Sequence, residues 1–212
     1  MNSFDRTAHW ENIYKTKQLT DVGWYQQKPE TSLEFIKQLE IPLNASIIDI
    51  GGGDSFLVDH LLDLGYSDIT VLDISGAAIE RAKKRLKNNA DKIEWITADV
   101  VQFKPEREYD FWHDRAAFHF LTEEEDVNKY ISTLSSFLKP GGHLTIGTFS
   151  ESGPAKCSGI DIKQYSEITM SSLLERFFVK LKCINIDHAT PSNTIQNFLF
   201  CSFSKRKFAI SK

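Results

Sequence analysis

Between residues 45 and 149, short β-branched runs alternate with stretches of helical periodicity, a pattern that few folds accommodate. Residues 45–50, 68–74, 93–100, 109–114 and 143–149 read as strands, and 56–65, 76–89 and 123–138 read as helices between them. Acidic residues open the last of these helices, where the backbone dipole favours them, and Lys139-Pro140-Gly141-Gly142 stops it. Strands joined through helices at this spacing run parallel, with right-handed crossovers that put helices on both faces of the sheet. After residue 150 the pattern changes. A helical stretch at 170–178 leads into two strand-like runs, 179–189 and 194–204, joined by Thr190-Pro191-Ser192-Asn193. Such a turn predicts an antiparallel hairpin at the sheet end. The expectation is an α/β chain with a seven-stranded, mostly parallel sheet.

Composition narrows the function more than the fold. The 212 residues carry a net charge of −4, so no global basic field argues for nucleic acid or an anionic membrane as partner. No apolar run approaches the ~20 residues that span a bilayer, and the polar start lacks the apolar core of a signal peptide. The basic residues 206–212 read as a short exposed tail. Cys157, Cys183 and Cys201 are odd in number and show no CxxC spacing, so a reducing, cytoplasmic setting is expected. Cys183 and Cys201, in apolar strand-like runs, are expected as inert core thiols, and Cys157 falls in a Gly/Ser/Pro-rich loop.

The first strand ends in Gly51-Gly52-Gly53, at the sheet edge where parallel α/β folds bind ligands. A dinucleotide fingerprint would need glycine at position 56, which is Phe56, and no Gly-Lys-Ser/Thr follows to make a phosphate-binding loop. What remains is acids at successive strand ends. Asp49 lies within the first, Asp73 closes the second 20 residues after Gly53, and Asp99 ends the third. Together they suit an amine, a ribose diol and an adenine amino group, and they would repel a pyrophosphate.

These residues resemble the class I S-adenosylmethionine-dependent methyltransferases. The run 47–55 (IIDIGGGDS) is similar to their first motif, and 71–75 (VLDIS) to their second-strand acid. The run 98–100 (ADV) matches the acid near adenine, 109–121 the fourth motif, and 138–146 (LKPGGHLTI) the lead into the fifth strand. The resemblance covers about residues 30–205 and implies a Rossmann-like sheet with S-adenosylmethionine as cofactor. It implies Asp49, Gly51, Gly53 and Ser55 around the methionine end, Asp73 and Ile74 at the ribose, and Asp99 and Val100 at adenine. Ser55 departs from the commoner glycine pattern, and either contacts the cofactor or caps the next helix. The N-terminal segment is similar to that of the thiopurine and halide/thiol methyltransferase-like branch, where a Trp-rich stretch and a W-x-Q fold over the cofactor. Trp24 and Gln26 are carried over as cofactor contacts, and Trp10 as plain packing. One domain is expected: a lid segment (1–40), a cofactor half (41–150), an acceptor-side loop, helix and hairpin (151–205), and the tail.

On the acceptor side, the resemblance puts Asp114 at the fourth strand end, near the methionine amine. His113, by strand alternation, turns away to pack. His119 borders the transferred methyl as a candidate general base or acceptor-orienting group. Arg115 either binds an acidic acceptor or pairs with a nearby acid. Cys157 and His188 reach the same edge, without the spacing of a zinc site, so no metal is expected. The overall expectation is a monomeric methyltransferase acting on a small-molecule acceptor such as a thiol. A protein lysine methyltransferase and a non-catalytic adenosylmethionine-binding module are the alternatives. Ala116 and Ala117 stand where related protein methylators carry Gly and Thr.

Overall fold

A computed structural model describes residues 4–207. An N-terminal helix α1 (Arg6–Thr16) is followed by a 3-10 turn (Leu19–Asp21) and α2 (Glu30–Gln38). The alternating region then runs β1 (Ser46–Ile50), α3 (Leu57–Asp63), β2 (Asp68–Asp73), α4 (Gly76–Leu86), β3 (Ile93–Thr97), β4 (Tyr109–Arg115), α5 (Glu124–Phe137) and β5 (Leu138–Phe149). A small ribbon, β6 (Lys156–Cys157) with β7 (Ile160–Asp161), precedes α6 (Glu167–Leu174) and the long strands β8 (Phe178–Ala189) and β9 (Ile195–Lys205).

The main sheet has the order β3-β2-β1-β4-β5-β9-β8, parallel except for β9, which runs antiparallel to both its neighbours. The seven expected strands are therefore all present. Strand order reverses between β1 and β4, which opens a crevice at their carboxyl ends. Every residue of β1 is buried, as a central strand covered on both faces requires. One face packs Ile48, Ile50, Trp112 and Leu144 against Tyr130 and Leu134 of α5. The other packs Ile47, Val71 and Phe111 against Leu57 and Leu61 of α3.

Local chemistry sets the helix ends. Ser75 caps α4 by accepting the Ala78 N–H, and Lys83, Lys84 and Arg85 sit in the last turn, where the dipole favours cations. Ser166 and Thr169 close a reciprocal capping box that starts α6 at Glu167, three residues before the expected helix.

Three features depart from the sequence reading. First, α5 ends at Phe137 and the Pro-Gly-Gly lies inside β5, where the register slips from Tyr109↔Leu138 to Phe111↔His143. Gly141, at φ 80°, makes this irregularity possible. Second, the β6–β7 ribbon was not anticipated. Third, Cys183 and Cys201 are not free thiols: they face each other across β8 and β9, with Cα atoms 4.1 Å apart, and are disulfide-bonded. The physical reason is register, because directly opposed residues of antiparallel strands project to the same face. Part of the basic tail, beyond residue 207, lies outside the described residues.

Candidate active site

The β1–β4 crevice deepens into a cleft of about 1260 Å³, counting its open mouth. Its floor is the turn after β1 and the ends of β2, β3 and β4, and its roof is the N-terminal segment. Gly51 turns the chain at φ 68°, and its N–H donates to the Leu72 carbonyl, tying the turn to β2. Gly53 lies where a Cβ would come within 2.6 Å of Ala78 Cβ and 2.7 Å of Asp73 Oδ2. Ser55 lines the cleft and also accepts the Leu57 N–H, so both of its expected roles are compatible with its position.

Asp73 is buried and accepts N–H bonds from Gly53 (3.0 Å) and Ser75 (2.8 Å). Burial pushes its carboxyl up to about 6, against the two backbone bonds that favour the anion. Each oxygen keeps a lone pair for a further donor, which is what a ribose diol offers. Asp49 gives Oδ1 to His113 Nδ1–H at 2.7 Å, while its buried Oδ2 has no partner. An orphaned buried carboxylate oxygen fits an ammonium group. Ile74, Ala98 and Val100 supply apolar lining beside Asp99, which suits a flat base. These residues fit S-adenosylmethionine.

The roof is fastened by contacts that sequence reading missed. Glu11 of α1 accepts the Ser75 hydroxyl (2.7 Å) and the Ala77 N–H (3.1 Å) at the start of α4. Those bonds, the Ser75 hydroxyl foremost, hold Glu11 down to about 2. Arg6 bridges Asp99 (3.0 Å) and Asp126 (2.8 Å). Asp54 pairs with Arg81 and Arg85, fixing the glycine turn to α4. Their partners lie far away in the chain, so no local pattern flags them. Trp24 and Gln26 line the cleft as expected. Trp10 lines it as well, with its ring centroid 5.7 Å from that of Trp24 and 4.8 Å from that of Phe120. The carbonyls of Gly23 and Trp24 accept from His188 Nε2 (2.8 Å) and Arg115 Nη1 (2.9 Å), so β8 and β4 clamp the roof.

The acceptor-side expectations need three corrections. His113, expected to pack away, lines the cleft, and the Ser32 hydroxyl donates to its Nε2 at 2.9 Å. Asp114, expected in the cleft, points to the other face. There it accepts from Tyr130 Oη (2.8 Å) and from the Ala117 and Phe118 N–H groups. Register explains the exchange, because Asp49 pairs with His113 and the two share one face. His119, expected as base, is fully buried between Phe120 and Phe149 and does not line the cleft. Its Nδ1 accepts the Phe149 N–H, and burial, with Arg115 nearby, drives it down to about 3. Cys157 does line the cleft, and burial pushes its thiol up. His188 instead holds the roof. Among the described residues, no group of three His, Cys, Asp or Glu is arranged to hold a metal.

The sheet order and the cleft at its switch point are those of the Rossmann-like fold found in solved methyltransferase structures. Residues 47–142 match the family model described as a methyltransferase domain. Among curated proteins, the mouse eEF1A lysine and N-terminal methyltransferase is 27% identical over 148 residues, 66% of this chain and 21% of that protein. Malonyl-[acyl-carrier protein] O-methyltransferase 2 of Ilyobacter polytropus is 29% identical over 118 residues, 55% of this chain and 43% of that protein. The matched region thus spans less than half the length of either relative. Among solved structures, the N-methyltransferase NodS of Bradyrhizobium japonicum WM9, in complex with S-adenosylhomocysteine, superposes with a TM-score of 0.71 at 20% identity. That alignment covers 96% of this chain and all of NodS.

Proposed function

We propose that this chain transfers a methyl group from S-adenosylmethionine to a small-molecule acceptor, a thiol or another soft nucleophile, by in-line displacement. The observation that carries the reading is the set of buried acids at the ends of β1 and β2, with Asp49 Oδ2 unpartnered beneath a clamped aromatic roof. When bound, the cofactor supplies an electrophilic methyl on a sulfonium. Asp49 and Asp73 grip its amine and ribose, Asp99 and Val100 take the adenine end, and Trp24 and Gln26 cover it. As in the thiopurine and halide/thiol branch that the lid resembles, the roof excludes water and fixes the line of attack.

The acceptor end contains little to remove a proton. His119 is neutral through the working range and Cys157 is a protonated thiol. The imidazole of His113 is held at both nitrogens, by Asp49 and Ser32. Such a site favours an acceptor that presents its lone pair without a protein base. The chain is read as a monomer that engages neither nucleic acid nor membrane, and the Cys183–Cys201 disulfide removes the free-thiol argument for a reducing, cytoplasmic setting. Among the described residues no helix is long and apolar enough to cross a membrane. The mouse relative's name suggests protein lysine methylation as the second reading. Against it stands the roof itself, pinned across the cleft that a protein side chain would have to enter.

The test is calorimetric titration with S-adenosylhomocysteine, with NAD and ATP as controls, followed by methyl transfer from labelled donor to a panel of thiols and amines. Binding of the first ligand alone, with product on thiols, supports the proposal. Product only on a protein lysine overturns the small-molecule part. Absence of binding overturns the whole.

A further inference from the structure

Arg115 closes β4, next to the switch in strand order, where a ligand spread over β3, β2 and β1 would give way to its reaction partner. Four acids line the cofactor half of the cleft, and each has company. Asp54 pairs with two arginines, Asp99 with Arg6, Asp49 with His113, and Asp73 with backbone N–H groups. Arg115 has no such partner. Among the described residues no carboxylate lies within ion-pair distance of it. Only Nη1 is engaged, with the Trp24 carbonyl, while Nε and Nη2 are buried with no acceptor at all. Its guanidinium carbon sits 5.1 Å from the Phe198 ring centroid, which holds the plane without satisfying an N–H.

Those two free donors form one edge of the guanidinium. That edge presents two parallel N–H groups at the spacing of a carboxylate's two oxygens. A buried cation with its bidentate edge unpaired is costly unless a ligand completes it. The surroundings are largely apolar: Phe120, Phe149 and Phe198 line this end of the cleft, and the charges of Asp49, which hydrogen-bonds His113, and Cys157 reach Arg115 without pairing with it.

We propose that Arg115 is the anchor for a carboxylate on the methyl acceptor, so that the acceptor is a small anion with an apolar or aromatic body. The proposal deepens the methyltransferase reading and rests on it. The anchor holds the anionic end bidentately while Phe120, Phe149 and Phe198 pack the body, which leaves the nucleophilic atom free to face the cofactor. Arg115 thereby sets specificity without entering the bond changes.

The probe is benzoate against its neutral isostere benzamide, titrated into the protein saturated with S-adenosylhomocysteine, with tryptophan fluorescence as the readout. Benzoate is expected to bind at least about tenfold tighter than benzamide, the scale of a charge-assisted bidentate contact. Arg115→Gln abolishes that preference, while the loss of its bond to the Trp24 carbonyl loosens the roof and weakens S-adenosylhomocysteine by less than about tenfold. Arg115→Lys, which keeps the charge but not the fork, reduces the preference and decides the matter if the glutamine variant does not fold. Equal binding of the two probes to the parent protein overturns the proposal. So does a loss of about tenfold or more in S-adenosylhomocysteine affinity in Arg115→Gln, because the arginine would then serve the cofactor's own carboxylate. Should S-adenosylhomocysteine not bind the parent protein, the cofactor reading falls, while the same titrations of the free protein still decide the anion site.

Discussion

Gly53→Ala is the sharpest perturbation of the cofactor end. The added Cβ would meet Ala78 Cβ at 2.6 Å, Asp73 Oδ2 at 2.7 Å and Asp73 Cγ at 2.8 Å. Carbon atoms pack comfortably at about 3.5–4.0 Å, so the shortfall against Ala78 is about 1 Å. Neither neighbour yields cheaply. Ala78 Cβ is fixed to the first turns of α4, and Asp73 is held by N–H bonds from Gly53 and Ser75. Either the glycine turn lifts off β2 or the Asp73 carboxylate swings away and loses the Gly53 N–H. Overpacking of this kind costs about 1–3 kcal/mol, and a hydrogen bond to a charged group is worth about 1.5–3 kcal/mol. Because the displaced carboxylate is the ribose acceptor, a loss of about 1–3 kcal/mol should appear in cofactor affinity, roughly a 5- to 150-fold weakening. The assay is calorimetric titration with S-adenosylhomocysteine, accompanied by thermal melts. Gly76→Ala, at the start of α4 beyond β2, is the control, since its Cβ would meet nothing nearer than Thr97 Cγ2 at 4.0 Å. Parent-like affinity and melting in Gly53→Ala would refute the close packing of Asp73 on the turn. Equal losses in the two variants would refute the specific role of position 53.

Other outcomes follow from the same geometry. Asp73, near 6 in the free protein, must be ionised to accept the diol, so S-adenosylhomocysteine affinity should level off above pH 6. Below that it should fall by up to about tenfold per pH unit, and a flat titration from pH 5 to 7 would contradict the assignment. Asp114 is likewise raised by burial to about 6 from an ordinary 3.8, so folding favours its protonated form. Its contribution to stability is fully present below pH 3.8 and is lost as pH rises through about 6; melts from pH 4 to 7 should show this slope, and Asp114→Asn should flatten it. Glu11→Ala removes the tie between α1 and α4 and should cost about 1–2 kcal/mol, read as a lower melting temperature and faster proteolysis of the N-terminal segment. His119→Ala should destabilise the fold by about 2–4 kcal/mol through a cavity and an orphaned Phe149 N–H. Its folded fraction should turn over normally, and a selective loss of turnover would restore His119 as a base.

What was legible in the sequence was local. Strand–helix alternation gave the parallel sheet, and the glycine turn with acids at Asp49, Asp73 and Asp99 pointed to one cleft because each acid ends its own strand. What stayed hidden depends on register between distant strands. Whether His113 or Asp114 shares the face of Asp49 is decided by the β1–β4 pairing, and nothing within 109–121 reveals it. The Cys183–Cys201 bond is likewise a matter of the β8–β9 register. Glu11 and Arg6 look like ordinary helix-surface charges until α1 is laid against α4 and α5.

The clamp on the roof also carries a consequence for the order in which the chain is made. Gly23 and His188 are separated by 165 positions, so the turn at 51–53 emerges from the ribosome well before the histidine that helps hold its cover. Until the last hairpin has joined the sheet, the floor of the cleft exists without that fastening. Retention of S-adenosylhomocysteine thus becomes a report on completion of the chain. A chain stopped before β8 should build the glycine turn and still let the ligand go.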